Sequence, residues 1–194
     1  IRDVTTGKDL DLQIPYTRAC ALAWLKDLSG FYYTHYPKPG AVPAGDEKYY
    51  RRVYFHKMGD NPDNDKLIFG EERPKEEWCD IELSSDHRYL LLSASLDWTK
   101  NDLWIRGVNQ SGNFIPVAEK LDGSFGGDVY GNTLYLLTNY QAPRYKIMTT
   151  PVNNPKMDNW EELIPQQKGV IKGFKIAGGK MVILMTEDVV SKLY

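Results

Sequence analysis

The sequence predicts an all-β protein built from a repeated four-stranded unit, and three observations support this. Short runs rich in Tyr, Val, Ile, Leu and Thr alternate with turns rich in Gly, Asp, Asn and Ser, which is typical of antiparallel hairpins. Almost no segment shows the i, i+3, i+4, i+7 apolar spacing of a helix. A similar stretch also recurs along the chain, and internal repetition indicates an array of like units.

The repeat is defined by the hydroxyl residue that ends each apolar run, at Thr34, Ser93, Thr138 and Thr186. These residues are 59, 45 and 48 positions apart, and propeller blades of four strands repeat every ~40–50 residues. The longer first interval contains a Pro- and Gly-rich surface excursion over residues 36–50, where insertions are tolerated. A β-sandwich also has short strands, but it does not explain a near-constant period.

The second and third copies each divide into four β segments. In the second copy these read CDIEL, RYLLLSAS, DLWIRGV and FIPVAEK, and in the third GGDVY, TLYLLTNY, RYKIMTT and WEELIP. Consecutive apolar residues such as YLLLS and MVILM are expected where stacked blades cover both faces of a sheet. We therefore expect one partial β-propeller domain over residues 1–194, about half of a closed ring of four-stranded antiparallel blades. Its parts are a blade tail at 1–14, blades at about 19–72, 78–120 and 125–165, and an incomplete blade at 170–194.

The composition argues against several classes of function. The 194 residues are 42% hydrophobic and 26% charged, with a net charge of −2. This does not fit a disordered chain, and it provides no basic field for nucleic acid or anionic lipid. No apolar run reaches the ~18 residues of a membrane helix, and no signal peptide is visible.

The two cysteines, Cys20 and Cys79, do not make a disulfide framework. They are expected to be small buried hydrophobic residues in a reducing compartment. Cytoplasm is therefore the expected location. Because the chain starts at Ile1 without a Met, we expect it to be part of a longer protein.

A search for catalytic and metal-binding patterns finds none that is complete. The nearest approach to G-x-S-x-G lacks the required spacing and precedes a strand, so Ser124 is expected to be a turn residue. The acidic stretch 60–65 fits an EF-hand loop only in part, because Pro62 occupies a ligand position and Asp65 replaces the turn glycine. A solvated hairpin loop is expected there instead. The histidines lie in three separate segments without metal-binding spacing; they are His35, His56 and His87. We therefore expect no catalytic residue, metal or cofactor in this segment.

The stretch PKEEWCDIELSSDHRYLLLSASLDWTKNDLWI resembles the propeller of the prolyl oligopeptidases, serine peptidases that cleave after proline. Family members carry a sequence motif similar to W-x-x-x-x-E-L-S-D-D-G-R-Y, followed by L-L-S and N-x-L-W. In this chain the matching residues lie between Trp78 and Trp104. The lines ALAWLKDLSGFYYTHYP and LYLLTNYQAPRYKI match two further family patterns. The resemblance extends over essentially all 194 residues.

This resemblance implies a seven-bladed propeller that lies over an α/β-hydrolase domain carrying a Ser, Asp and His triad, which this chain lacks. In the family the propeller covers the active site, excludes folded proteins and lines part of the pocket upstream of the proline. The lining positions fall on Cys79, on Trp98 and, ahead of ALAW, on Ala19. Mammalian members have a bulky aromatic residue in place of Ala19, and an arginine where this chain has Ser95. An indole in the Trp98 loop must either cap a blade or face a ligand.

Two functions are consistent with these observations. The first is the substrate-gating propeller portion of a cytoplasmic prolyl oligopeptidase-like serine peptidase, inactive by itself. Its partners would be the C-terminal α/β-hydrolase domain of the same protein and short proline-containing peptides, with no nucleic acid and no membrane. The second is a non-catalytic propeller that acts as a protein- or ligand-binding scaffold. Within the enzyme class, oligopeptidase B or a dipeptidyl peptidase is a further alternative. A G-x-S-x-G after Tyr194, followed by Asp and His, would distinguish these cases.

Overall fold

The first compact unit, residues 1–78, contains one four-stranded sheet. The computed structural model describes residues 1–108, 110 and 112–194 of the chain. Neighbouring strands of this first sheet are antiparallel and follow the order of the sequence. They are β1 (Leu22–Trp24), β2 (Gly30–His35), β3 (Arg52–Lys57) and β4 (Lys66–Phe69). The predicted excursion at 36–50 does lie between two strands, β2 and β3.

The second compact unit, residues 79–194, contains three more sheets, each again a meander of sequential strands. The first of these is formed by β5 (Trp78–Leu83), β6 (Tyr89–Ser95), β7 (Asp102–Gly107) and β8 (Ile115–Ala118). The next is formed by β9 (Phe125–Tyr130), β10 (Thr133–Thr138), β11 (Lys146–Pro151) and β12 (Glu161–Ile164). The last has three strands, β13 (Val170–Ala177), β14 (Lys180–Glu187) and β15 (Val190–Leu193). The strands of each sheet lie within one of the blade ranges predicted from the sequence. The exact first and last residues of each blade remain a prediction.

The core of the second unit forms between two sheets, β5–β8 and β9–β12. In β10 the side chains alternate, so that Leu134 and Leu136 are completely buried while their neighbours are half-buried. This period of two follows from the strand pleat, which points successive side chains to opposite faces. Leu91, Leu103 and Ile105 of the neighbouring sheet belong to the same buried cluster. Burial of such apolar surface is the main favourable contribution to folding.

Polar contacts tie these two sheets together at both ends. At one end, the Asn101 amide donates to the Phe125 carbonyl (3.0 Å) and its oxygen accepts from the Phe125 N–H (2.9 Å). At the other end, the Asp128 carboxylate accepts hydrogen bonds from the backbone N–H (2.8 Å) and the hydroxyl of Ser85. We refer to these as the Asn101 end and the Ser85 end. Asp128 is buried, and a buried carboxylate costs free energy unless it is paired, so these tethers help to fix the alignment of the sheets.

Strand β9 approaches its neighbour β10 so closely that one glycine has no room for a side chain. A methyl group at Gly127 would lie 2.2 Å from the Tyr135 carbonyl oxygen, whereas nothing lies within 4 Å of the same position at Gly126. Because the obstacle is backbone, the two strands would have to separate to accept it.

We predict that Gly127→Ala lowers the free energy of unfolding by about 1–3 kcal/mol, the usual cost of overpacking. Gly126→Ala, the adjacent control, should change it by no more than about 0.5 kcal/mol. Chemical denaturation of the full-length protein measures both changes. Equal stability of the two variants would contradict the close approach of β9 and β10.

Candidate functional site

Two of the three predicted lining residues belong to the sheet β5–β8. Cys79 is the second residue of β5 and is completely buried. Trp98 lies in the turn between β6 and β7, and its side chain is fully exposed to solvent. Since β5 and β6 are joined by a tight hairpin, the start of β5 lies beside the end of β6. The fold therefore brings Cys79 and the Trp98 turn to the same end of the sheet, the Asn101 end.

The turn that carries Trp98 is held by its own polar residues. The Asp97 carboxylate accepts hydrogen bonds from the Thr99 N–H (2.7 Å), the Thr99 hydroxyl (2.7 Å) and the Lys100 N–H (3.2 Å). These bonds favour the charged carboxylate, so the pKa of Asp97 is lowered, mainly by the Thr99 hydroxyl. Such side-chain-to-backbone bonds are how Asp stabilises turns. The backbone of the turn is thus held in place, and the Trp98 side chain projects from it into solvent.

The third predicted lining residue, Ala19, lies in the first unit, just before β1. It is exposed and has a left-handed backbone conformation, with φ at +48°. Its carbonyl accepts a 2.8 Å hydrogen bond from the Arg51 guanidinium, which holds the segment ahead of the strand. Ser95, where the family has an arginine in mammalian members, is the last residue of β6 and is half-buried.

Ser124 and His35, which were considered from the sequence, make contacts within the protein. The backbone N–H of Ser124 donates to the Asn139 side chain at 2.6 Å. His35 stacks on Tyr54, with ring centroids 3.8 Å apart, and its Nδ1 lies 2.5 Å from the Tyr36 carbonyl oxygen. Burial lowers the pKa of His35 because it disfavours the charged imidazolium. Within the described residues, no group of three or more His, Cys, Asp or Glu side chains is placed to hold a metal ion.

The acidic stretch 60–65 is not wholly solvated, and in this respect the sequence-based expectation was wrong. A 3₁₀ turn at Pro62–Asn64 begins with an Asn61 side chain that accepts from the Asp63 N–H at 2.9 Å. It ends by directing Asp65 into the protein, where the side chain is only 4% exposed. The connection is therefore a loop between β3 and β4, as expected, but its last carboxylate is buried.

Asp65 is buried because two donors from neighbouring strands meet it. The Tyr33 hydroxyl of β2 donates to one carboxylate oxygen at 2.7 Å, and the His56 Nδ1 atom of β3 lies 2.8 Å from the other. Burial, together with the hydrogen bond to Asp65, raises the pKa of Tyr33, so its hydroxyl stays a donor. The three side chains link β2, β3 and the start of β4 through a desolvated polar cluster.

We predict that Asp65→Ala destabilises the protein by about 3–5 kcal/mol, because it leaves the buried Tyr33 and His56 groups without their partner. Asp63→Ala is the matched control, since Asp63 pairs with Lys38 at the surface and exposed pairs contribute only about 0–1 kcal/mol. Equilibrium denaturation of the two full-length variants gives the comparison. A small effect at Asp65, similar to that at Asp63, would show that the cluster is not coupled to folding.

Comparison with known proteins identifies the family. Residues 1–194 match the model of the prolyl oligopeptidase N-terminal β-propeller domain. The chain belongs to this family. The all-β propeller fold that the sequence predicted is thus confirmed, and each sheet described above is a blade or part of one.

Curated relatives of the family are considerably longer than this chain. A prolyl endopeptidase of Elizabethkingia meningoseptica is 30% identical over 197 residues, which cover 100% of this chain and 27% of the relative. Prolyl oligopeptidase A of Amanita bisporigera is 28% identical, and the match covers 94% of this chain and 26% of that protein. The chain spans about a quarter of the length of the curated relatives it matches.

Solved structures show the same fold. One chain from a study of two prolyl endopeptidases superposes with a TM-score of 0.90 at 21% identity, over 99% of this chain and 28% of that one. Prolyl oligopeptidase B of Galerina marginata, bound to a 35-residue substrate, gives a TM-score of 0.80 at 23% identity, over 92% of this chain and 26% of that one. In the described part of the chain, no helix has the length and hydropathy needed to cross a bilayer.

Proposed function

We propose that this chain is the substrate-gating propeller portion of a prolyl oligopeptidase-like serine peptidase that cleaves short peptides after proline. The observation that carries the proposal is the family match over residues 1–194. It is supported by relatives named prolyl endopeptidase, in which the matched region makes up only about a quarter of the chain. In this proposal the catalytic Ser, Asp and His lie in an α/β-hydrolase domain outside these residues. The segment alone is inactive, and the protein acts in the cytoplasm.

The proposed substrate-lining residues differ in what they offer a peptide. Trp98 presents a fully exposed indole on a turn fixed by Asp97, which suits contact with an apolar peptide side chain. Cys79 is buried beside the same sheet end, so it would shape the wall of the pocket by its volume. Ala19 is small and exposed, and would leave room where a larger side chain would narrow the site.

We predict that the full-length protein cleaves a reporter peptide on the carboxyl side of proline and is inactivated by a serine-directed phosphonate. A folded protein that contains the same proline sequence should remain intact, because the propeller restricts entry to short peptides. Mass spectrometry of the products locates the cleaved bond. Cleavage after paired basic residues would favour the oligopeptidase B alternative, and absence of any cleavage would favour a binding scaffold. Digestion of the folded protein would contradict the gating role.

Substitution of Trp98 tests the substrate-lining role. Trp98→Ala in the full-length protein should lower kcat/KM for peptides that extend upstream of proline, by the equivalent of about 1–3 kcal/mol for one lost apolar contact. A minimal substrate without upstream residues should be cleaved as before. Leu96→Ala, which alters another exposed residue of the same turn, is the control. It should leave kcat/KM unchanged for both the extended and the minimal substrate.

If Trp98→Ala lowered kcat/KM equally for the extended and the minimal substrate, Trp98 would instead have a role in folding or in contact between domains. The lining proposal would then be wrong, while the proposed peptidase activity would stand.

A further inference from the structure

The Pro- and Gly-rich excursion at 36–50 forms one wall of a pocket in the first compact unit. The other wall comes from Tyr16 and Arg18, shortly before β1. The pocket has a volume of about 400 Å³, which is within the range of small-molecule sites, about 300–1,000 Å³. It is therefore large enough to hold one or two residues of a peptide.

The apolar part of this pocket consists of tyrosine and proline side chains. Tyr36 is buried, Tyr16 is 40% exposed, and Pro37 and Pro39 complete the apolar lining. The Tyr36 N–H donates to the Tyr16 carbonyl oxygen at 2.9 Å, which joins the two walls. Grooves lined by aromatic side chains are a common recognition surface for proline residues, so this lining suits a proline ring.

Two positively charged side chains, Arg18 and Lys48, also line the pocket. The Arg18 guanidinium lies 5.2 Å from the centroid of the Tyr36 ring, and this cation–π contact places the charge beside the apolar wall. Neither Arg18 nor Lys48 makes an ion pair within the described residues, whereas the nearby Lys38 is paired with Asp63 at 2.6 Å. The two lining cations are thus available to a ligand.

The charge of the lining favours an anionic group. Glu47 adds one negative charge, but its carboxylate already accepts a hydrogen bond from the Gly45 N–H at 2.9 Å. A guanidinium can bind a carboxylate through two parallel N–H···O bonds, and a lysine adds a further donor. The lining therefore suits a carboxylate attached directly to a small apolar ring.

We propose that this pocket binds the carboxyl-terminal proline of a peptide. The pyrrolidine ring packs against Tyr16 and the two prolines, while the terminal carboxylate accepts hydrogen bonds from Arg18 and Lys48. Hydrolysis after proline converts the proline carbonyl into such a carboxylate, so the ligand is a product of the reaction; this identification rests on the proposed function. Occupancy of the pocket would rise as product accumulates.

Binding of short acetylated peptides to the full-length protein tests the proposal. The protein is first treated with the serine-directed phosphonate, so that a peptidase active site does not contribute to the signal. The probes are acetyl-Gly-Pro, its carboxyl-terminal amide, acetyl-Gly-Ala and acetyl-Gly-Glu amide, followed by saturation-transfer NMR. We expect saturable binding of acetyl-Gly-Pro and roughly ten-fold weaker binding of its amide, which lacks the charge-assisted hydrogen bonds. Added salt should weaken binding of the acid, because the cations are exposed.

Variants of the lining locate the bound peptide. Arg18→Gln and Lys48→Gln should each weaken binding of acetyl-Gly-Pro roughly ten-fold and leave binding of the amide unchanged. Lys26→Gln, at an exposed lysine between β1 and β2, is the charge-matched control and should alter neither. Tyr16→Ala should reduce binding of acetyl-Gly-Pro to that of acetyl-Gly-Ala. Thermal unfolding of the charge variants should stay unchanged, because the substituted side chains are at the surface.

Equal binding of the acid and the amide, or affinity that Arg18→Gln and Lys48→Gln leave unchanged, overturns the proposal. Tighter binding of acetyl-Gly-Glu amide would assign the pocket to acidic side chains and would contradict a terminal proline. Cleavage after proline by the untreated protein, without binding of acetyl-Gly-Pro, would leave the proposed function standing and make this inference wrong. Binding in a protein that cleaves no peptide would support the pocket while contradicting the proposed function.

Discussion

Burial of the apolar faces between the neighbouring sheets β5–β8 and β9–β12 is the constraint on which the rest of this structure depends. Leu134 and Leu136 on one sheet, and Leu91 and Leu103 on the next, are almost completely removed from water in one shared cluster. At roughly 25 cal/mol per Å² of apolar surface, contacts of this kind dominate the stability of a domain. Strand β6, which is apolar on consecutive positions, is accordingly buried at Leu90, Leu91 and Leu92, whereas in β14 the similar run leaves Val182 and Leu184 exposed.

Residues at the ends of the sheets do not have to be buried between apolar faces. The candidate substrate-lining residues Cys79 and Trp98 lie at such an end. Turn residues need only satisfy their own backbone groups, as Asp97 does for the turn that exposes Trp98. The tethers at Asn101 and Asp128 hold adjacent sheet ends in position without occupying the turns themselves. A rigid stack of sheets with variable ends is a general way to place binding groups accurately.

The parts that the sequence could predict are those determined by local pattern. Period-two burial in β10 and the hairpin turns follow from residues close in sequence, and the repeat made their number and spacing visible. The burial of Asp65 could not be predicted, because its neighbours in the run 60–65 look equally hydrophilic. Only the pairing of β2 with β3 brings Tyr33 and His56 to it.

The candidate sites show the same division. The positions of Cys79 and Trp98 followed from the family motif, but their opposite exposures follow from strand and turn geometry that the motif does not encode.

The buried cluster of Tyr33, Asp65 and His56 also has a consequence for cooperativity. Strand β4 has only four residues and pairs with β3 across a bulge, so backbone hydrogen bonds alone would let it detach readily. Detachment, however, would pull the Asp65 carboxylate away from both donors in the interior of the sheet. The outer strand is therefore expected to open together with β2 and β3 rather than before them, and its amides should exchange with solvent as slowly as those of the inner strands.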